Sequence, residues 1–258
     1  MEESVNFDRA VRFYDATRGF PNDIADKIGQ FIADIAQLNQ SMALLEVGVG
    51  TGRIALSLSN HVKTIMGADI SFDMLRVLQD KQANKLVYPS QADGIALPYA
   101  DNTFDAIIIV HVLHLVPHPQ QILSEVKRVI KPNGQFLHCF VANGDKTLID
   151  PVVLAQIKTR PKSESDKNRK HVPDVIDESG WYLEQEATLP YIVTEAAQHI
   201  YDNVKKRVWS SLWDVSDDVL HLSLDAIAEA IDKHHNGNYN AEVSYQKTFT
   251  VQVFRASS

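Results

Sequence analysis

The chain has 258 residues, of which 45% are hydrophobic, enough for one large α/β domain with a full core. Its formal net charge of −8 argues against a general nucleic-acid-binding protein. No apolar run approaches the roughly 18 residues that a membrane-spanning helix needs, and the N-terminus lacks a signal-peptide pattern. The single cysteine, Cys139, cannot form an internal disulfide, so the expected location is the cytoplasm.

Two helices are predicted near the N-terminus. Residues 4–17 have the pattern of a short helix that is ended by Gly19 and Pro21. The second helix is capped by Asn22 or Asp23, and its apolar residues form one stripe at helical spacing. This stripe indicates packing against a core rather than a binding surface.

A strand, a tight turn and a short helix form the next unit. The strand Ala43–Val47 leads directly into glycines at alternate positions, Gly48, Gly50 and Gly52. Glycines allow a ligand to approach the backbone closely, and the N–H groups at a helix start attract an anionic group. Position 53 is an arginine, so the spacing is G-x-G-x-G rather than the G-x-G-x-x-G of dinucleotide-binding proteins. The turn predicts a nucleotide-like ligand without identifying it.

Strands and helices alternate regularly after this turn. Further strands are predicted at 62–69, 86–90, 104–110, 135–141, 181–194 and 242–255, and helices at 72–80, 120–130, 152–158, 172–180, 195–211 and 217–234. This alternation predicts an α/β fold with a doubly wound, mostly parallel, seven-stranded sheet. The strand 104–110 is apolar throughout, which is typical of a strand covered on both faces.

The expected organisation is a single domain over residues 1–258. Its N-terminal helices occupy residues 1–40, and its ligand-binding core occupies residues 43–141. The two helices within 195–235 form a lid that is inserted before the last strand. Because an insertion at the carboxyl end of a parallel strand lies on the ligand side, we expect this lid to cover the crevice.

Asp69 is predicted to end the second strand, about 17 residues after Gly52. A carboxylate at this place can accept hydrogen bonds from both hydroxyls of a ribose. Ser71 is the predicted cap of the following helix, so Asp69 is not needed for that task. Asp69 at the end of the second strand therefore favours a ligand of the adenosine type.

Later motifs narrow the ligand further. The turn preceded by Glu46, Asp93 within Ala92-Asp93-Gly94, and Phe104-Asp105 at the start of the fourth strand resemble motifs of the class I S-adenosylmethionine-dependent methyltransferases. The resemblance covers residues 43–140 and is to the small-molecule type, like the enzymes of ubiquinone and menaquinone biosynthesis. It implies a Rossmann-like fold, S-adenosyl-L-methionine as cofactor and a small-molecule methyl acceptor, with the oligomeric state open.

The resemblance also implies a set of cofactor-binding residues. Two of them keep alternatives, because Glu46 either contacts the cofactor amine or braces the glycine turn, and Arg18 either reaches the methionyl carboxylate or caps its own helix. The full set is Tyr14, Arg18, Glu46, Gly48, Val49, Gly50, Thr51, Gly52, Asp69, Ile70, Met74, Ala92, Asp93, Gly94, Val110 and His111.

Two histidines after the fourth strand are candidate catalytic residues. His111 and His114 are expected at the mouth of the crevice, and histidine can accept a proton from an attacking hydroxyl or amine near neutral pH. His114 is the first choice as base, and His111 is expected to lie along the cofactor. A purely structural role for either histidine stays open. The ten histidines show no spacing typical of metal ligands, so no metal is expected.

Three other functions stay open at this stage. A nicotinamide-dependent oxidoreductase shares the glycine turn and Asp69, but the glycine spacing and Asp93 oppose it. An RNA or protein methyltransferase is the nearest enzymatic alternative, although the net charge opposes RNA. A protein that binds S-adenosylmethionine without catalysis belongs to a different class.

Overall fold

Helices and strands alternate along the chain in the computed structural model, which describes residues 11, 14–15, 19–82, 87–143, 171–208, 212–213 and 215–257. Most of the predicted helix 4–17 and all of the predicted helix 152–158 lie outside the described residues. In chain order the elements are α1 Asn22–Ile35, β1 Ala43–Val47, α2 Ala55–Leu58, β2 Thr64–Asp69, α3 Phe72–Lys81, β3 Val87–Gln91, β4 Phe104–Val110, α4 Pro119–Val129, β5 Ile130–Asn143, α5 Val172–Glu178, β6 Trp181–Ala196, α6 Ala197–Lys205, α7 Asp217–His235 and β7 Glu242–Ala256.

The seven strands form one sheet in the order β3-β2-β1-β4-β5-β7-β6. β1 pairs in parallel with β2 and β4, β2 with β3, and β4 with β5. The strand order reverses between β1 and β4, which is where ligands bind in open α/β sheets. The predicted doubly wound, mostly parallel sheet is confirmed.

β4 lies at the centre of the core, as its apolar sequence predicted. All of its residues except Asp105 are buried, because helices cover both faces of a doubly wound sheet. Across the core, the Phe136 ring packs against the rings of Trp181 and Phe254, with centroids 5.2 and 5.6 Å away. No helix in the described ranges is both long and apolar enough to cross a membrane.

The start of β5 differs from the sequence prediction. The helix was predicted to reach residue 130 and the strand to begin at residue 135, but Ile130 already has an extended backbone, with φ −80° and ψ 145°, and β5 begins there. The pairing with β4 then jumps from Ile130 to Gln135. The intervening turn residues therefore form an irregularity within the strand, a use of Pro and Gly that sheet edges and bulges allow.

The beginnings of two helices test the predicted caps. Ser71 caps α3, since its Oγ atom accepts a hydrogen bond from the Met74 N–H at 3.2 Å. α1 begins at Asn22, so its N-cap position is Pro21, and the predicted cap at Asn22 or Asp23 was wrong because both residues lie within the helix. Pro21 supplies the extended backbone that precedes the helix instead, with φ −50° and ψ 144°.

The chain divides into two compact units. The first comprises 1–141, 168–189 and 249–258, and the second comprises 142–167 and 190–248. α6 and α7 lie in the second unit, between β6 and β7 in sequence, as the predicted insertion requires. They have an apolar cluster of their own, formed by Ala197, Ile200, Val204, Leu212, Val215, Leu220, Leu224, Ile227, Ile231 and Val243. That these helices cover a crevice stays a prediction.

Asp105 joins the starts of three strands. Its Oδ2 atom accepts the N–H of Ala43 in β1 at 2.9 Å, and its Oδ1 atom accepts Lys131 Nζ of β5 at 2.7 Å. Burial alone raises the pKa of Asp105, but the hydrogen bond from Lys131, together with that from Ala43, lowers it below its ordinary 3.8. A carboxyl whose pKa is lower in the folded state stabilises the fold above its unfolded pKa and loses that effect as the pH falls.

We expect Asp105→Asn to lower the free energy of unfolding at pH 7 by about 1–2 kcal/mol, the range for hydrogen bonds to a partly screened charge. The difference from the wild type should shrink as the pH falls below the ordinary pKa of 3.8, because Asp105 of the unfolded chain is then protonated before Asp105 of the folded protein. Denaturant unfolding at pH 7, 5 and 3 measures both effects, with Asp80→Asn on the exposed side of α3 as the control. A difference that does not depend on pH would contradict this role.

Candidate functional site

The glycine turn connects β1 to α2 at the carboxyl edge of the sheet. Gly48, Gly50 and Gly52 have φ values of +75°, +53° and +80°, a region that residues with a side chain rarely adopt. The N–H groups of Gly48 and Val49 both donate to Ala68 O, at 2.8 and 3.1 Å. The turn is thus tied to the end of the neighbouring strand β2.

Space around the turn shows which side of it is open. A Cβ atom on Gly48 would lie 2.2 Å from Val112 Cγ2, and one on Gly52 would lie 2.3 Å from Leu78 Cδ1. A Cβ atom on Gly50 would meet nothing within 4 Å. The two outer glycines therefore permit close packing of the protein itself, whereas Gly50 borders open space.

Asp69 at the end of β2 is bound to the turn and to the next helix. Its Oδ2 atom accepts the N–H of Gly50 at 2.8 Å, and its Oδ1 atom accepts the N–H of Ser71 at 2.9 Å. Each carboxylate oxygen can accept a further hydrogen bond. The two backbone donors therefore hold Asp69 in one orientation beside Gly50, and its binding of ribose hydroxyls stays a prediction.

The end of β3 brings Asp93 to the same edge. Asp93 is exposed, and its Oδ1 atom accepts the N–H of Ile95 at 3.1 Å, which fixes the carboxylate at the start of a turn. A Cβ on the neighbouring Gly94 would lie 3.2 Å from Val47 Cγ1, so the chain passes close to β1 there. Ile70 and Ile95, which follow the two acidic residues, are 52% and 44% exposed. Such exposed apolar side chains beside carboxylates suit a flat heterocyclic ring.

Glu46 in β1 is buried, with 3% of its surface exposed. The Ala55 N–H donates to its carboxyl, but its Oε2 atom accepts no hydrogen bond within the described part of the chain. Burial raises the pKa of Glu46 from 4.5 to about 8, and the Asp69 carboxylate adds to this rise, while Arg53 and the Ala55 N–H oppose it. The carboxyl is therefore mostly neutral at pH 7. Bracing of the start of α2 is observed, and contact with a cofactor stays a prediction.

His111 follows β4 with a left-handed backbone, at φ +56°. Its Nε2 atom accepts the N–H of Val141 in β5 at 2.8 Å, so the proton of the neutral ring lies on Nδ1. The ring of His114 lies edge-on to that of His111, with centroids 5.8 Å apart, and His114 is exposed. The two predicted histidines are thus neighbours, but the Nε2 atom of His111 is engaged within the fold.

The other predicted site residues lie in different surroundings. Val49 and Thr51 of the turn, Met74 of α3 and Val110 at the end of β4 are buried, whereas Ala92 and Tyr14 are half-buried. Arg18 lies outside the described residues. The cofactor contacts of all of these residues stay predictions.

Sequence reasoning missed a group of contacts beneath the turn. Asp15 accepts hydrogen bonds from Thr51 Oγ1 at 2.6 Å and from Lys81 Nζ at 2.9 Å. The guanidinium carbon of Arg53 lies 4.4 Å from the centroid of the Phe20 ring. Asp15 and Phe20 belong to the segment that was singled out for Tyr14 and Arg18, but no local pattern indicates partners more than 30 residues away. No group of histidine, cysteine or acidic residues able to hold a metal occurs among the residues that the structure describes.

Comparison with known proteins identifies the domain. The family model of the methyltransferase domain matches residues 45–138, which contain the glycine turn, Asp69, Asp93 and both histidines. The chain is 32% identical over 133 residues to the ubiquinone/menaquinone biosynthesis C-methyltransferase UbiE of Klebsiella pneumoniae, covering 49% of this chain and 52% of the relative. It is 34% identical over 96 residues to a phosphatidylethanolamine N-methyltransferase of Cereibacter sphaeroides, covering 36% of this chain and 47% of the relative. The matched region thus spans about half the length of these relatives.

The fold is shared more widely than the sequence. A solved structure from Bacillus halodurans C-125, assigned as a methyltransferase, is similar over 90% of this chain and 100% of its own, with a TM-score of 0.58 and 18% identity. Identity at this level supports the fold alone, whereas the family model covers the glycine turn and the strand ends that carry most of the predicted site residues. Residues 45–138 of the chain therefore match the methyltransferase domain family, and the fold is similar to that of solved methyltransferase structures.

Proposed function

We propose that this protein transfers a methyl group from S-adenosylmethionine to a small-molecule acceptor. The observation that carries the proposal is the position of Asp69, which two backbone N–H groups hold beside the open face of Gly50. Carboxylates at the ends of β2 and β3 supply acceptors for ribose hydroxyls and for an adenine amino group. Relatives that are named for a quinone and for a lipid amine support a small-molecule acceptor.

The residues at the carboxyl edge of the sheet would each bind a different part of the cofactor. Asp69 would bind the ribose, Asp93 the adenine amino group, and the exposed Ile70 the face of the adenine ring. When bound, the cofactor supplies an electrophilic methyl group on a positively charged sulfur. The remaining task of the protein is to hold the acceptor in line with that methyl group and to exclude water.

His114 is the proposed base for an acceptor that must lose a proton. It is exposed and follows the carboxyl end of β4, beside the ring of His111. His111 is less suited, because its Nε2 atom accepts the Val141 N–H and its other nitrogen then carries the proton. We therefore propose that His111 fixes the loop after β4 and that His114 accepts the proton.

Two assays test the function as a whole. Calorimetric titration with S-adenosylmethionine and with NAD tests the ligand, and we expect binding of the first alone. Incubation with methyl-labelled cofactor and a metabolite panel that includes quinones, phenols and amines tests transfer. Methyl label found on RNA or on protein would show that the acceptor is a macromolecule and not a small molecule. Binding of cofactor without any transfer in the presence of all these acceptors would indicate a non-catalytic protein.

We expect Asp69→Ala to weaken binding of S-adenosylmethionine at least about tenfold, because two hydrogen bonds to a charged group are lost. The matched control is Asp73→Ala, which removes an acidic residue from the first turn of the adjacent helix α3. Thermal unfolding without ligand checks that both variants are folded, since Asp69 also binds the turn. Unchanged affinity in a folded Asp69→Ala protein would contradict the assignment of the site.

The raised pKa of Glu46 predicts that cofactor binding releases a proton to the solvent. Its pKa of about 8 keeps the carboxyl mostly neutral at pH 7, and a positive ligand nearby would lower that pKa. Binding should then release up to one proton, and the affinity should rise with pH until about pH 8. Calorimetry at pH 7 in buffers of different ionisation enthalpy measures this release, which Glu46→Gln should abolish. No release by the wild type would show that Glu46 only braces α2.

We expect His114→Gln to lower turnover by about a hundredfold or more, the range for loss of a general base, with little change in cofactor affinity. His118→Gln is the matched control, because His118 is exposed four residues further along. The measurement is the initial rate with an acceptor found in the panel. If turnover survives and only the Michaelis constant rises, His114 binds the acceptor and is not the base.

A further inference from the structure

Asp15, Thr51 and Lys81 form a hydrogen-bonded group, which we name the Asp15 latch, between the N-terminal segment and the glycine turn. We propose that the Asp15 latch sets the conformation of the turn in which cofactor binds, so that Asp15 and Lys81 are positioning residues for cofactor binding. The inference rests on the proposed function, because it assigns the latch to the same cofactor site.

Three hydrogen bonds form the Asp15 latch. Thr51 Oγ1 donates to Asp15 Oδ1 at 2.6 Å, and Lys81 Nζ donates to Asp15 Oδ2 at 2.9 Å. Lys81 Nζ also donates to the backbone oxygen of Thr51 at 2.9 Å. Both the hydroxyl and the carbonyl of Thr51 are therefore held by charged side chains that lie 36 and 30 residues away in sequence.

The location of Thr51 within the glycine turn allows these three hydrogen bonds to fix the backbone of the turn. Thr51 is 1% exposed and lies between Gly50 and Gly52, both with positive φ. Glycines leave a turn many backbone conformations, so local preferences alone do not fix the direction of the peptide groups at Thr51. The latch does fix it, because a buried hydroxyl and a carbonyl each have one charged partner.

The ion pair by itself would have little effect. The side chains of Lys81 and Asp15 are 35% and 42% exposed, and exposed ion pairs contribute little to stability. What distinguishes this pair is that both charges also bind the buried Thr51. Loss of either charge leaves a Thr51 group without its partner, so the effect should appear at the turn rather than in global stability.

A second contact brings the same segment to the turn. The N–H of Gly19 donates to Asp15 O at 2.8 Å, and the next residue, Phe20, packs edge-on against Phe249 with centroids 6.0 Å apart. Arg53, directly after the turn, lies over the Phe20 ring. The segment therefore contacts the turn on both sides of Gly52, and binding of a ligand to the turn should strengthen both contacts by linkage.

The test compares variants that remove one latch bond at a time. Asp15→Asn, Lys81→Met and Thr51→Val should each weaken S-adenosylmethionine binding about five- to tenfold, the equivalent of one lost charge-assisted hydrogen bond. Thr51→Ser keeps the hydroxyl and should retain affinity within about twofold. The double variant Asp15→Asn/Lys81→Met should lose less affinity than the sum of the two single losses in free energy, because both single variants remove the shared bond between Asp15 and Lys81.

Asp23→Asn is the matched control, since it breaks the exposed ion pair with Lys27 on α1, away from the turn. Thermal unfolding without cofactor separates positioning from folding: we expect similar midpoints for Asp15→Asn and Asp23→Asn, but different affinities. Hydrogen exchange in the peptide around Asp15 should slow on cofactor binding in the wild type and less in Lys81→Met.

The outcomes distinguish this inference from the proposed function. A wild type that does not bind S-adenosylmethionine overturns the proposed function and the inference with it. A wild type that binds, with Asp15→Asn and Thr51→Val binding equally well, overturns the latch alone. Lower midpoints with unchanged affinity would show that the three residues only stabilise the fold, and independent, additive losses in the double variant would show that they are not one unit.

Discussion

The site depends on one hydrogen bond, from the Gly50 N–H to the Asp69 carboxylate, which joins the end of β1 to the end of β2. Gly50 has a left-handed backbone at φ +53°, and its bond to Asp69 helps to hold the glycine turn in one conformation. The parallel sheet places the ends of β1, β2, β3 and β4 at one edge, so the glycine turn, Asp69 and the residues that follow β3 and β4 lie along the same edge. Substitution at the junction therefore changes ligand binding and turn geometry together.

The fold, and the proximity of Asp69 to the glycine turn, were predictable because their signals are local. The apolar run of β4 and the glycine spacing after β1 each lie within a dozen residues, and the structure has both as expected. The Ser71 cap was equally local, and it is present. The start of β5 was not predicted, because Pro132-Asn133-Gly134 has the composition of a helix stop, whereas the register of two strands decides that the chain is already extended there.

Contacts between distant residues could not be predicted in the same way. Nothing in the sequence near Asp15 indicates that Lys81, 66 residues later, shares a hydrogen bond with it. His111 is a second example. Its position after β4 indicated a candidate catalytic residue, but only the folded structure shows that its Nε2 atom accepts the N–H of Val141 in the neighbouring strand. Polar side chains have many partners available in a folded chain, so residue type and spacing indicate a site but not the pairing within it.

Glu46 and Asp69 show how one turn gives two carboxyl groups different tasks. Asp69 is partly exposed and accepts two backbone N–H groups, an arrangement that suits a carboxylate which binds neutral hydroxyls. Glu46 is buried, and the pKa of its carboxyl is raised mainly by that burial, since Arg53 and the Ala55 N–H only partly offset the loss of water. A neutral carboxyl beside the turn avoids repelling Asp69 while the site is empty. A cation that enters the site would lower the pKa of Glu46, so that the carboxyl loses its proton and becomes negatively charged. Selectivity for a positively charged cofactor would then follow from the burial of Glu46.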